Sequence, residues 1–325
     1  RVLVGMFQNL HFPSPAIFIE KEDDFILREN VQDVIVPSSP NPNCRACWYI
    51  LKDKSSTNLE EIAYDIVKNG VKNALKFIPI AQFGKLTTVD KAEIESYRSI
   101  KNLMLEYIST KNTVRPLCIA VFGTPGSGKS FGILEVANSI ASNIITKLDF
   151  NLSQFSTPLD LVNAFHKVRD IALQDKIPLV FFDEFDSFIE GKLGWLKYFL
   201  APMQDGIFRE GDSIHPIGKA IFVFAGGTSS TFKGFCGENI ENEKEQKQFL
   251  LEFKSAKGPD FISRLRGYVN ILGPNQTDDK RDQLFIIRRA MLLRSLLERK
   301  VPHLINDKKE TDRKSTRLNS SHNSN

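Results

Sequence analysis

A glycine-rich turn between an apolar run and a helical pattern constrains this chain more than any other feature. Residues 123–130 follow the spacing Gly-x-x-x-x-Gly-Lys-Ser, which is that of a P-loop. Such glycines let successive backbone N–H groups point into one concavity, and the following helix adds the positive end of its dipole. Residues 117–122 are an apolar run of strand length, and residues 130–140 space their apolar side chains like a helix. This order predicts a phosphate-binding site at the edge of a parallel sheet.

The P-loop pattern assigns a role to each residue of the turn. Lys129 is expected to reach the β- and γ-phosphates of a nucleotide, and the Ser130 hydroxyl to hold Mg²⁺. The residues predicted to contact the nucleotide are Gly123, Thr124, Pro125, Gly126, Ser127, Gly128, Lys129, Ser130 and Phe131.

Two carboxylates follow a second apolar run. Residues 179–182 indicate a buried parallel strand, and Asp183 and Glu184 come directly after it. Because ligands of open α/β sheets bind at the carboxyl ends of the strands, both side chains are expected beside the phosphates. Asp183 suits the Mg²⁺ shell, and Glu184 is placed to orient and deprotonate the attacking water. Asp186 and Glu190 are interpreted as surface charges or helix caps.

With both motifs present, residues 95–300 resemble the AAA+ ATPases, nearest to their Clp-like branch. This resemblance implies a P-loop parallel sheet flanked by helices, with ATP and Mg²⁺ bound between subunits of a homo-oligomeric ring. Residues 220–228 are similar to the strand that ends in sensor 1. The resemblance therefore implies that Thr228, or Ser229 beside it, lies near the γ-phosphate and the attacking water.

Residues 258–266 resemble the Clp stretch that carries the arginine finger. The match implies that Arg264 reaches the nucleotide of a neighbouring subunit, with Arg266 as the alternative. A guanidinium suits this task because it is always charged and can bind phosphate oxygens in two places.

The helix and hairpin before sensor 1 in the Clp branch are similar to residues 195–218, in which Trp195 and His215 are interpreted as packing or hairpin residues. Residues 193–228 also resemble prokaryotic proteins in which such a core precedes a ryanodine-receptor-type repeat. Residues 150–158 lack the aromatic–apolar–Gly signature with which Clp motors grip a substrate chain, which disfavours protein unfolding.

Four regions are predicted along the chain. The last is polar, has no apolar period, and resembles translated sequencing-adapter read-through, so it is expected to be disordered and artefactual. The chain is also expected to be truncated in its first domain, because it begins at Arg1. The regions are an N-terminal α+β module at 1–88, an ATPase core at 89–273, the start of a helical lid at 274–311 and the tail at 312–325.

Local patterns give finer predictions. Short strands are expected at 16–19, 33–36 and 47–51. The last of them begins at Cys47. The Cys44–Cys47 pair has half the spacing of a zinc site, so metal binding there stays open. Helices are predicted at 58–67, 90–109, 157–174, 241–257 and 283–300.

Composition narrows the function classes. A net charge of +4 does not form a basic footprint, so nucleic acid is not expected as a partner. The sequence shows no apolar run of membrane-spanning length and no signal peptide, so no membrane association is expected. Four cysteines without a secretion signal are typical of reduced thiols, which favours a cytoplasmic location.

Two functions stay open at this point. One is ATP hydrolysis coupled to remodelling of an unknown protein partner. The other is an ATP-gated oligomerising switch or scaffold with little steady-state turnover. A nucleic-acid remodeller is disfavoured by the modest charge.

Overall fold

The computed structural model describes residues 58–76, 78–111, 113–187, 193–276 and 282–304. The predicted strands at 16–19, 33–36 and 47–51, the Cys44–Cys47 pair, Glu190 and the tail lie outside these residues. In chain order the described helices and strands are α1 Leu59–Asn69, α2 Val71–Ala74, β1 Ala81–Phe83, β2 Leu86–Thr88, α3 Lys91–Ser109, β3 Leu117–Gly123, α4 Lys129–Ala141, β4 Ile145–Asn151, α5 Pro158–Ala172, β5 Ile177–Asp183, α6 Leu196–Asp205, β6 Ile207–Glu210, β7 Ser213–Pro216, β8 Ile221–Ala225, α7 Phe232–Phe235, α8 Glu243–Ser255, α9 Gly258–Ile262, β9 Gly267–Ile271 and α10 Phe285–Lys300.

A five-stranded sheet in the order β4-β5-β8-β3-β9 forms the centre of the molecule. Every pair in it is parallel. All residues of β3 and β8 are buried, as expected for central strands that are covered on both faces. The carboxyl ends of β3, β5 and β8 therefore meet at one edge. This α/β sheet with helices on both faces confirms the predicted fold class.

Alternating strand residues face two hydrophobic layers. Ile119 and Val121 pack with α3, α4 and the β1–β2 hairpin on the first face. Ala120 and Phe122 pack with α5, α6 and α9 on the second face. The second face is rich in phenylalanine, and many of its ring pairs, such as Phe182–Phe199 with centroids 4.8 Å apart, meet edge to face.

The long helices begin where the sequence predicts. Asp90 caps α3 by accepting hydrogen bonds from the backbone N–H groups of Ala92 and Glu93. Thr157 and Asp160 form a capping box at the start of α5. The helices predicted at 58–67, 241–257 and 283–300 are likewise confirmed, as α1, α8 and α10.

A third hydrophobic cluster joins α1 to α10. Ile66 and Ile287 are fully buried in it. Arg294 is 1% exposed and donates to the carbonyl oxygens of Val67 at 2.9 Å and Lys68 at 3.0 Å. Its guanidinium thus binds the otherwise unpaired carbonyls in the last turn of α1.

Three strands have no counterpart in the sequence predictions. The β1–β2 hairpin is only three residues long on each side, and β9 has a mixed burial pattern because it is an edge strand. Within the described residues, no helix combines the length and the apolar character that crossing a membrane requires.

Candidate functional site

The turn between β3 and α4 is an open concavity built on glycines. Gly126 and Gly128 have φ angles of 77° and 88°, in the left-handed region where a side chain is strained. A Cβ at either position would meet no atom within 4 Å. At Gly123, by contrast, a Cβ would lie 2.6 Å from Ser127 Oγ and 2.7 Å from the carbonyl oxygen of Ile271. The glycines therefore shape the loop at its base and leave its outer side free for a ligand.

The groups around this concavity fit a phosphate. The α4 helix begins at Lys129 without a side-chain cap on its first N–H groups, and free N–H groups at a helix start favour an anion. Ser127 Oγ is buried and has no hydrogen-bond partner among the described residues. Lys129 Nζ donates to the carbonyl oxygens of Gly123 at 2.8 Å and Thr124 at 3.4 Å, so the ammonium lies across the loop.

Asp183 lies beside this loop at the end of β5, in register with Ala225 of β8. Burial, followed by the nearby Asp149 carboxylate, raises the pKa of Asp183, while Lys147 and Lys129 oppose that rise. Burial lowers the pKa of Lys129, and Asp183, Asp186 and Glu184 oppose that change. The lysine and the carboxylates therefore share one electrostatic neighbourhood.

Glu184 has an unusual backbone. Its φ is 55°, in the left-handed region, and its N–H donates to the carbonyl oxygen of Ala225 at 2.9 Å. A left-handed conformation costs a non-glycine residue roughly 1–2 kcal/mol. The side chain is exposed, and a Cβ at Gly227 would lie 2.9 Å from its Cγ. The turn thus holds a free carboxylate against the loop that follows β8.

Asp186 has a buried structural role that its place in the sequence does not predict. It is 3% exposed and accepts hydrogen bonds from Gly227 N at 2.8 Å, Thr228 N at 3.0 Å, Ser229 N at 3.2 Å and the Thr228 hydroxyl. The interpretation of Asp186 as a surface charge or helix cap is wrong, because its carboxylate joins the β5 turn to the β8 loop. The Gly-Gly-Thr-Ser run, whose clustered N–H groups need an acceptor, was the available signal.

Thr228 follows β8, and its backbone N–H and hydroxyl both donate to Asp186. Because its hydroxyl donates its proton to Asp186, its oxygen can only accept further hydrogen bonds. An oxygen of this kind can orient a water molecule that donates to it. Ser229 is fixed through its backbone N–H by the same carboxylate.

The contacts of the Arg264 side chain are local. It follows α9, and its guanidinium donates to the carbonyl oxygen of Asp260 and to Ser263 Oγ. Arg266 N donates to the Cys118 carbonyl at the start of β3, at 2.8 Å. The contacts with Asp260 and Ser263 hold Arg264 against α9, and its predicted role toward the nucleotide of a neighbouring subunit stays a prediction.

The remaining predicted residues lie in the loop and the first turn of α4. Thr124 and Pro125 are exposed, and Ser130 is half-buried. Phe131 is 48% exposed, a large apolar surface beside the start of the helix.

Comparisons with known proteins give distant likenesses. No family model matches the chain. A stretch of 81 residues, 24% of this chain, is 35% identical to the genome polyprotein of human rhinovirus 14, of which it covers 3%.

Solved structures are also similar at low identity. The S. cerevisiae Hsp104–ADP complex aligns with a TM-score of 0.40 and 16% identity, over 85% of this chain and 49% of that one. Closed-state Hsp104 with ATPγS and FITC casein aligns with a TM-score of 0.38 and 14% identity, over 66% of this chain and 37% of that one. The ORC2 protein of Aeropyrum pernix, in ADPNP and ADP complexes, aligns with a TM-score of 0.34 and 13% identity, over 56% of this chain and 48% of that one. This chain spans about half or less of the length of each of these proteins. The fold class is therefore taken from the order and direction of the strands in its own sheet.

Proposed function

We propose that this chain binds Mg-ATP and hydrolyses it, as an ATPase of the AAA+ type. One observation carries the proposal: the glycine-cradled Lys129 shares an electrostatic neighbourhood with Asp183 and Glu184, at the common carboxyl edge of β3 and β5. A concave anion site beside a half-buried carboxylate and an exposed one is suited to phosphoryl transfer to water.

Each residue has a role in this proposal. Ser130 and Asp183 would hold Mg²⁺, which neutralises charge on the phosphates when it is bound. Lys129 would exchange its carbonyl partners for phosphate oxygens. Glu184 would accept a proton from the attacking water, which the Thr228 oxygen helps to orient.

Arg264 supports a site that is shared between subunits. Since residues 258–266 resemble the stretch that carries the arginine finger, Arg264 would act on the nucleotide of another copy. An arginine finger supplied in trans contributes about 10³–10⁵ in turnover. A homo-oligomeric ring is therefore part of the proposal, and an isolated chain should be slow.

The purpose of hydrolysis has two candidates. The first is remodelling of a protein partner. The second is an ATP-gated oligomerising switch, which residues 150–158, from the end of β4 to the start of α5, favour. Phe150 stacks on Phe182 with centroids 6.0 Å apart, and Phe155 packs on Trp195 at 5.9 Å. Aromatic side chains that are packed inward in this way are not available to grip a substrate chain.

Steady-state ATP hydrolysis, measured against protein concentration, tests the proposal. Glu184→Gln should bind ATP as wild type does but lose about 10²–10⁴ in turnover, the usual contribution of a general base. Arg264→Ala should lose the rise of specific activity with concentration, and Arg266→Ala tests the alternative finger in the same way. Arg299→Ala, at an exposed arginine near the end of α10, is the control and should keep the rise.

The outcomes separate the candidates. Undiminished turnover in Glu184→Gln would remove its role as base. ATP binding and assembly with at most about one turnover per site would favour the switch. Failure of wild type to bind Mg-ATP, with Lys129→Ala indistinguishable from it, would refute the proposal as a whole.

A further inference from the structure

A second cluster of chemically active side chains lies on the phenylalanine-rich face, apart from the P-loop. It consists of His166 on α5, Glu210 on β6 and His215 on β7. One ligand atom from each lies within 4.8 Å of the others. From this geometry we propose that the three residues bind a divalent transition-metal ion, with Zn²⁺ as the best fit.

The distances suit a tetrahedral ion. Glu210 Oε2 is 3.0 Å from His166 Nε2 and 3.7 Å from His215 Nε2. Zinc bonds of ~2.0–2.1 Å place neighbouring ligand atoms roughly 3.3 Å apart in a tetrahedron. The two observed distances lie on either side of that value. Small side-chain rotations would therefore complete three corners and leave the fourth for water or another ligand.

One ring nitrogen of the cluster needs a partner. His215 Nε2 is buried and has no hydrogen-bond partner among the described residues. At 3.7 Å it is too far from Glu210 to share the hydrogen bond that joins Glu210 to His166. An unpaired buried polar atom is unfavourable. A metal ion between the three side chains would give this nitrogen a bond.

Packing fixes both rings in advance. The Phe208 ring is 3% exposed and lies 4.8 Å from the His166 ring and 5.2 Å from the His215 ring, measured between centroids. The two imidazoles are themselves 5.1 Å apart. Ligands that are held in place by neighbouring side chains need little reordering on binding.

The donor set selects the kind of metal. Two imidazole nitrogens and one carboxylate oxygen suit Zn²⁺ and its first-row neighbours, whereas Mg²⁺ and Ca²⁺ prefer all-oxygen sites. The Mg²⁺ proposed at Ser130 and Asp183 would therefore not compete here. A bound ion would tie the β6–β7 hairpin to α5, because its ligands come from all three elements.

Zinc titration of the full chain tests the site. Cys44→Ser/Cys47→Ser is used as the background, since that cysteine pair could bind zinc itself. Competition against a chromophoric chelator should give one Zn²⁺ per chain. Glu210→Gln and His215→Gln should each weaken binding by at least about 10–100-fold, the loss that even indirect substitutions cause. The control is His303→Gln, an exposed histidine outside the cluster, which should bind zinc as the background does.

The visible absorption of bound Co²⁺ reports the coordination geometry directly and does not depend on the stability of the protein. Co²⁺ in place of Zn²⁺ should give the visible absorption of a tetrahedral ion in the background protein and in His303→Gln, but not in His215→Gln. Far-ultraviolet circular dichroism without metal checks that each variant is folded. Absence of saturable Zn²⁺ binding, or binding that all cluster substitutions leave unchanged, would overturn the proposal.

Discussion

Replacement of Asp186 should uncouple the two loops that it joins. Asp186 is 3% exposed, and its carboxylate accepts hydrogen bonds from three backbone N–H groups and one hydroxyl. In Asp186→Asn one oxygen can still accept from Thr228 and Ser229, but the amide NH₂ then faces the Gly227 N–H. That donor is left unpaired at a cost of about 1–3 kcal/mol in the free energy of unfolding. Asp186→Ala leaves every donor unpaired and should cost about 3–5 kcal/mol.

Urea unfolding of the full chain, followed by circular dichroism, measures both changes. The midpoint should fall from wild type to Asn to Ala, with an unchanged slope. Asp170→Asn on the exposed side of α5 is the matched control and should stay within about 0.5 kcal/mol of wild type. If both Asp186 variants unfold at the wild-type midpoint, the carboxylate does not join the loops and the reasoning is refuted.

Three further perturbations test other parts of the fold. Glu93 is buried, and burial raises its pKa above the ordinary 4.5; the folded state therefore holds this proton more tightly. The stability of wild type relative to Glu93→Gln should fall as pH rises above 4.5, and a pH-independent difference in urea titrations would contradict this. Gly206→Ala should cost about 2–5 kcal/mol, because φ is 69° and its Cβ would lie 2.2 Å from the Val114 carbonyl oxygen. Gly211→Ala, with φ of 56° and open space, is its control and should cost only about 1–2 kcal/mol. Arg294→Met should destabilise α1 by about 1–3 kcal/mol by leaving two carbonyls unpaired, seen as faster hydrogen exchange in that helix.

Features with strong local signals could be predicted from the sequence. The β3–α4 turn combines glycine spacing with a strand and a helix in fixed order, and the structure has that turn between the expected strand and helix. The central strands were equally clear, because burial on both faces demands unbroken apolar runs. The edge strand β9 lacked that signal, since one of its sides faces no neighbouring strand.

Contacts between residues that are distant in the sequence could not be predicted from local sequence patterns. Asp186 looks like any acid after a strand, and only the arrival of the β8 loop, 41 residues later, makes it a buried acceptor. The cluster of His166, Glu210 and His215 has no spacing that suggests a shared site, because three separate elements supply it. Arg294 reads as one of several basic residues on α10, yet it binds the end of α1.

The two paired helices α1 and α10 are synthesised at very different times. Arg294 and the Val67 carbonyl that it binds are 227 residues apart in the chain. At synthesis rates of ~5–20 residues per second, α1 would leave the ribosome roughly 10–45 s before its partner helix exists. Throughout that interval the apolar side of α1, with Ile66 at its centre, has no α10 to cover it. Chaperone binding to this helix would therefore be expected during that interval.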